Sequence, residues 1–416
     1  MKKSFYLSLF AGVLLAACSS SDMESTFESE VLQHRQMPVD FNTFLGSNAS
    51  TRSGATGILT STELEKATSK GFGVFAYYTD NTTYNATSSL VNFMYNEQVK
   101  YETSKWTYTP LKYWPNEYGT NAVSTQVDYL SFQAYAPWVG VEDGTNVWQG
   151  GLTEGTIPEE VGITGFSNSD GSKTDNTVTG DVYVNYTVAS DPTNSVDLLY
   201  ATNANTAYNV TTPNDGLLNM TKQPVNTPVT FKFAHALSRL GVKIRAVVDK
   251  TTDADSDLAT GSTIVLNSIT IQSDAMGKQG KLNLRTGEWT VTGEDYSLII
   301  EGANIKLSGT NENEVTTSYQ EVMGADKYFM FIPTNAASTT FNVTVDYTVT
   351  TNDIALVTGK SVVNNRITNT LTFTPEKSKA YNLNVLIGLT SVVVQGEVSN
   401  WDNTPASSEI WVPINR

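Results

Sequence analysis

The side chains able to carry chemistry are few and far apart. Histidine occurs twice, as His34 and His235, and cysteine once, as Cys18. A single thiol excludes an internal disulfide framework and any multi-cysteine zinc site, and two histidines leave most metal and triad chemistries short of parts. His34 lies in a polar stretch, where an imidazole is expected to be solvated. His235 is hemmed by apolar residues in Phe231-Lys232-Phe233-Ala234-His235-Ala236-Leu237, with no nucleophile-elbow motif beside it, and is expected to be a structural, hydrogen-bonded residue. Asp253-Ala254-Asp255-Ser256-Asp257 opens like a calcium loop, but Leu258 stands where the turn glycine belongs and Ile264 where the bidentate glutamate belongs. Glu142-Asp143 and Glu159-Glu160 are neighbours in sequence only, whereas a glycosidase pair is defined by its separation across a substrate. No glycine loop suited to phosphate precedes a helix. The expectation is a protein without catalytic residues, cofactor or metal.

Charge narrows the partners. The 416 residues carry Lys+Arg 26 against Asp+Glu 42, a formal net charge of −16, with no basic run to set against phosphates, so nucleic acid is not an expected partner. A hydrophobic fraction of 39% with 10% aromatics is enough to build a sizeable core.

The chain opens with an address. Met1-Lys2-Lys3 is basic, residues 5–17 are largely apolar, and Leu15-Ala16-Ala17-Cys18 places small residues before the cysteine. The apolar run is shorter than the roughly 17–25 residues of a spanning helix, so it reads as a cleaved signal. The tetrad resembles the lipobox of bacterial lipoproteins, which implies cleavage before Cys18 and lipid on that residue. Residues 19–24 then form a polar tether, and lipid on Cys18 would be the anchor in the outer membrane.

Beyond the tether, apolar residues almost never recur at helical spacing. Strands are expected at 72–78, 129–135, 182–188, 229–233, 242–248, 264–271, 328–332, 341–349, 381–387 and 392–398, and the clearest is Phe341-Val343-Val345-Tyr347-Val349, alternating strictly with Asn, Thr, Asp and Thr. The one helix expected runs from Ser61 to Lys70, capped by Ser61, with Leu64 and Ala67 on one face. Turn chemistry at 213–216 and 285–288 separates strands, and the loop-like stretch 203–227 is the best place for a domain boundary. Many short strands with frequent turns favour β-sandwiches. The aromatic residues Trp106, Tyr108, Tyr113, Trp114, Tyr118, Tyr129, Phe132, Tyr135, Trp138 and Trp148 are weighed as core packing ahead of a glycan platform.

Residues 231–244, Phe-Lys-Phe-Ala-His-Ala-Leu-Ser-Arg-Leu-Gly-Val-Lys-Ile, resemble the segment characteristic of the fimbrillin family of Bacteroidales. Gly71-Phe72-Gly73-Val74-Phe75-Ala76, Trp114-Pro115, Leu130 to Pro137, Asp197-Leu198-Leu199-Tyr200-Ala201 and Val398-Ser399-Asn400-Trp401 follow that family's order. The resemblance implies an all-β chain of two tandem transthyretin-like β-sandwich domains: signal peptide 1–17, tether and removable strand 18–52, and domains 53–220 and 221–416. It further implies a pilus subunit exported as a lipoprotein to the cell surface and assembled into fimbriae with other pilin subunits. In that family an arginine-specific protease removes the N-terminal segment, and a strand from a neighbour fills the groove left behind. Here Val39 to Leu45 is a candidate first strand, and Arg52 is favoured as the cleavage point over Arg35, which precedes that strand and would release the lipid without opening a groove. Ile410, Trp411, Val412 and Ile414 form a candidate donor strand, or else the last strand of their own domain. The alternative function is a stationary surface lipoprotein that binds host or bacterial glycans or proteins.

Overall fold

The computed structural model describes residues 37–45, 59–67, 70–115, 128–142, 146–148, 161–168, 179–191, 194–205, 217–223, 226–247, 263–292, 295–301, 305–307, 309–310, 319–323, 328–334, 339–352, 355–388, 392–400 and 408–409. Cys18, His34, Arg35, Arg52, Tyr118, the acidic run at 253–257 and residues 410–414 lie outside these, as does the side chain of Trp148.

The protein is all-β. One sheet contains β1 (Phe41–Leu45), β2 (Phe72–Asp80), β3 (Met94–Glu102), β4 (Lys105–Thr107), β5 (Asp128–Ala136), β10 (Leu199–Asn205) and β11 (Val229–His235), in the order β1-β11-β10-β5-β2-β3-β4. Strands β6 (Gly140–Glu142) and β7 (Asn146–Trp148) form a small hairpin, and β8 (Gly162–Ser167), β9 (Tyr183–Thr187), β14 (Gln279–Asn283) and β15 (Trp289–Val291) form a four-stranded sheet in the order β15-β14-β9-β8. The third sheet has the path β22 (Lys360–Thr372), β21 (Thr340–Asn352), β13 (Thr263–Gly277), β20 (Phe329–Pro333), β12 (Ser238–Val247), β23 (Lys379–Ile387), β24 (Val392–Asn400) and β25 (Ser408–Glu409). Short strands β16 (Asp295–Ile300) and β17 (Ile305–Leu307) add to β13, while β18 (Gly309–Thr310) and β19 (Gln320–Glu321) add to β12.

Alternation explains how the two halves of this last sheet pack against each other. Phe341, Val343, Val345 and Tyr347 on β21 are buried, and so are Leu383, Val385 and Ile387 on β23. The two leaves share one core, seamed by Phe373 stacked on Phe341 at 4.0 Å between ring centroids and on Tyr381 at 4.9 Å.

Strand β5 is buried on both faces over most of its length, because the seven-stranded sheet has a core on each side. On one face Phe75 and Tyr135 meet Phe166 of the four-stranded sheet, at 5.2 and 5.1 Å between centroids. Residues on either side of position 220 share two sheets: β11 pairs with β1 and β10, and β14 pairs with β9. Within the loop-like stretch singled out above, Leu217 and Met220 pack into the core, and Leu130 and Met220 exchange backbone hydrogen bonds at 2.8 Å.

The helix departs from expectation. It spans only Ser61–Leu64, here α1, and its N-cap is Thr60, whose Oγ1 accepts from the Glu63 amide at 3.2 Å. Thr60 takes the extended backbone that a cap requires, so Ser61 is already the first helical residue. The Lys66 amide then bonds to the Glu63 carbonyl, an i to i+3 step that tightens the chain out of the helix and leaves Ala67 exposed. Among the described residues no helix is long and apolar enough to cross a membrane.

Burial also sets a pH limit. It pushes the phenols of Tyr77 and Tyr135 well above the usual tyrosine range near 10, and that of Tyr381 to about 12. A folded-state pKa raised above the unfolded value leaves stability intact below pH 10 and removes it as pH climbs through the folded value. Each fully buried phenol is expected to withdraw about 1.4 kcal/mol per pH unit above 10. An alkaline titration followed by tyrosinate absorbance and near-ultraviolet circular dichroism should therefore show these tyrosines ionising only as tertiary structure is lost.

Candidate functional site

Strand β1 and the few residues before it fill a slot. Its partner is β11, with which it runs parallel in the register Phe41↔Val229 to Leu45↔Phe233, and the Val229 amide donates to the Asp40 carbonyl at 2.8 Å. The other side of the segment is also engaged. The Val39 amide donates to the Lys112 carbonyl and the Trp114 amide to the Met37 carbonyl, each at 2.9 Å, while Tyr108 Oη donates to the Val39 carbonyl at 2.8 Å. Residues 37–39 are thus bonded to residues 112–114 and residues 40–45 to β11, so the segment ends the seven-stranded sheet and ties that end to the stretch after β4.

Alternation aims the apolar side chains inward. Val39, Phe41 and Leu45 are buried, whereas Asp40 and Asn42 face solvent. Phe41 is the centre: its ring stacks on Phe231 at 5.4 Å and meets Tyr108, Phe132 and Phe72 at 5.5, 5.8 and 6.3 Å. Burying three such side chains is worth about 1.5–3 kcal/mol each. Partial burial raises the Asp40 carboxyl, with Lys105 pulling the other way, and burial raises the Tyr108 phenol.

Leu59, Thr60 and α1 sit at the far end of this slot. Leu59 and Leu64 are each 1% exposed, and Ser61 Oγ donates to the carbonyl of Leu45, the last residue of β1, at 3.1 Å. Leu59 is tied down by a buried carboxylate: its amide donates to Asp197 Oδ2 at 2.9 Å, and the same oxygen receives a hydrogen bond from His235 Nδ1 at 2.8 Å. Both side chains are fully buried. His235 is thus the structural, hydrogen-bonded residue that its apolar neighbours imply. Its carboxylate partner went unnoticed in the sequence. The available signal was a lone acid opening the apolar run Asp197 to Ala201.

The aromatic cluster is mainly core. Trp106, Tyr108, Trp114, Phe132 and Tyr135 are buried, Tyr129 and Trp138 are partly covered, and Tyr113 is exposed. Among the described residues no group of His, Cys, Asp or Glu is arranged to hold a metal ion.

Against known proteins, residues 158–401, more than half of the chain, match the family model described as fimbrillin-like. The chain is 23% identical to Fimbrium subunit Fim1C of Phocaeicola vulgatus over 96% of this chain and 97% of that one. A crystal structure of a fimbrial protein from Bacteroides vulgatus superposes with a TM-score of 0.57 at 17% identity, covering 88% of this chain and 99% of the other, and so shares its fold. An all-β chain carrying the ordered motifs read above, and matched over that span, belongs to the fimbrillin-like family.

Proposed function

We propose that the protein is a structural subunit of cell-surface fimbriae, exported as a lipoprotein and assembled by strand exchange once its N-terminal segment is removed. The observation that supports this most is the slot: residues 40–45 bond to β11, residues 37–39 to residues 112–114, and Phe41 fills an aromatic pocket, while Arg52 lies between this strand and the rest of the fold. A cut after Arg52 would free that strand together with the lipid on Cys18, whereas a cut after Arg35 would release the lipid and leave the strand in place. Losing β1 exposes the edge of β11 and the rings of Phe231, Phe132, Phe72 and Tyr108. A strand from a neighbouring subunit restores both the ladder and the burial. Ile410, Trp411, Val412 and Ile414 are the candidate donor. Polymerised subunits would then project from the outer membrane and support adhesion. The burial of Trp106, Tyr108, Trp114, Phe132 and Tyr135 takes away part of the aromatic platform that a stationary glycan-binding lipoprotein would use.

The test is to treat residues 19–416 with limiting arginine-specific protease and follow intact mass and size-exclusion profile. The expected result is a single cut after Arg52 followed by higher oligomers, abolished by Arg52→Lys, retained in Arg35→Lys and lost on deleting residues 408–416. A chain that is cut after Arg52 and stays an unchanged monomer would overturn the strand-exchange reading.

A further inference from the structure

Three positions far apart in sequence converge on one carboxylate oxygen at the end of the slot. Asp197 lies two residues before β10, His235 ends β11, and Leu59 begins the turn into α1. A carboxylate oxygen accepts, so His235 Nδ1 carries the hydrogen and Asp197 Oδ2 is shared by two donors. Hydrogen bonds to an ionised acceptor in a dry interior are the strong kind, and removing the acceptor strands both donors. The pair is itself fixed from behind. The Ala236 amide donates to the Leu198 carbonyl at 2.8 Å, and Ser378 Oγ donates to the His235 carbonyl at 2.8 Å, which pins the end of β11 to the third sheet.

None of these bonds involves residues 37–45. By contrast, the bond from Ser61 Oγ to the Leu45 carbonyl disappears with β1. We propose that Asp197 and His235 act as a latch that keeps residues 59–64 in place after the first strand has left. Those residues then remain as the end wall of the empty slot, with the Ser61 hydroxyl still directed at the position of the last strand carbonyl. That hydroxyl sets where an incoming strand stops, and so its register on β11. Asp197 and His235 are positioning residues: they act on the incoming strand through Leu59 and Ser61. Without the latch, the new chain end created after Arg52 could peel back through α1 and leave a slot open at both ends. The assembly role rests on the strand-removal reading above, whereas the latch itself does not.

The experiment is peptide-resolved hydrogen exchange on the wild-type full chain before and after arginine-specific cleavage. The amides of 59–64 are expected to keep their protection, while those of 229–233 lose it by about tenfold or more. Loss of protection at 59–64 on cleavage would overturn the latch. Asp197→Asn, which keeps the shape, is expected to raise exchange at 59–64 by about tenfold while residues 341–349 are unaffected. His235→Leu should do the same, and His235→Asn, which places an amide donor where Nδ1 stood, should restore protection. Equal exchange at 59–64 in His235→Leu and His235→Asn would show that packing, not the shared oxygen, holds the segment, and would also overturn the latch. If cleavage never opens β11, exchange at 229–233 stays slow and the strand-removal reading fails. The uncut variants still decide the latch.

Discussion

Phe41→Ala is expected to lower the stability of the uncut chain by about 3–5 kcal/mol, the cost of emptying a buried phenylalanine site, and to leave the cut chain unchanged. The asymmetry follows from where the ring sits. Phe41 lies in the core against Phe231, Tyr108, Phe132 and Phe72, but the strand that carries it precedes Arg52 and would leave with the segment removed by the proposed cleavage. Phe231→Ala removes the opposite wall of the same pocket from β11 and is expected to cost a similar amount in both forms, since β11 stays. Urea unfolding of both forms of both variants measures the four values. Equal loss in the cut and uncut forms of Phe41→Ala would mean that β1 stays bound after cleavage.

Asp181→Ala is expected to cost about 2–3 kcal/mol, because truncation leaves a partly exposed guanidinium and three neutral donors without this acceptor. Arg285 Nε donates to both oxygens of Asp181 at 2.9 and 3.0 Å, Asn283 Nδ2 to Oδ2 at 2.9 Å, Tyr84 Oη to Oδ1 at 2.5 Å, and Gln133 Nε2 to Oδ1 at 3.1 Å. These donors come from the stretch between β2 and β3, from β5, and from the end of β14, so one carboxylate bonds the seven-stranded sheet to the four-stranded one. The turn holding Arg285 is built for this. Asn283 Oδ1 accepts from the amides of Arg285 and Thr286, and Gly287 adopts a φ of +68 with the Tyr200 ring where a Cβ would stand. As a contrast, Arg366 is 71% exposed and lies 3.4 Å from Asp346, and Arg366→Ala should cost only about 0–1 kcal/mol. Thermal unfolding of Asp181→Ala and Arg366→Ala side by side checks the ranking. Comparable midpoints would show that the carboxylate is not a joint between sheets.

Legibility in the sequence tracked local pattern. Phe341 to Val349 shows strict alternation because one face is core and the other is water, and the observed strand extends it to Thr340–Asn352. Its partner Lys360–Thr372 escaped notice. It is a terminal strand with Val362 at 61% and Val363 at 50% exposure among Asn and Thr residues, so burial imposes little alternation on it. The short strands β14 and β15 escaped for a different reason: β14 is fixed by pairing to β9, far away in the chain, and β15 only adds to the outer edge of β14. At the site, a first strand at Val39 to Leu45 was legible through the family resemblance. Its parallel pairing to β11 and the closing contacts from residues 112–114 were not, because no local pattern encodes a partner so distant in sequence. Thr60 and Ser61 are both good caps by type, and only backbone geometry distinguishes them.

The measurement that bears most directly on strand exchange uses a synthetic peptide of residues 37–45 added to the chain cut after Arg52. The account predicts that the peptide binds, raises the melting temperature of the cut chain towards that of the uncut one, restores slow exchange at 229–233 and suppresses oligomer formation in proportion to its occupancy. A cut chain that already melts like the uncut protein, ignores the peptide and still forms oligomers would contradict it, because assembly would then proceed without the slot that β1 occupies.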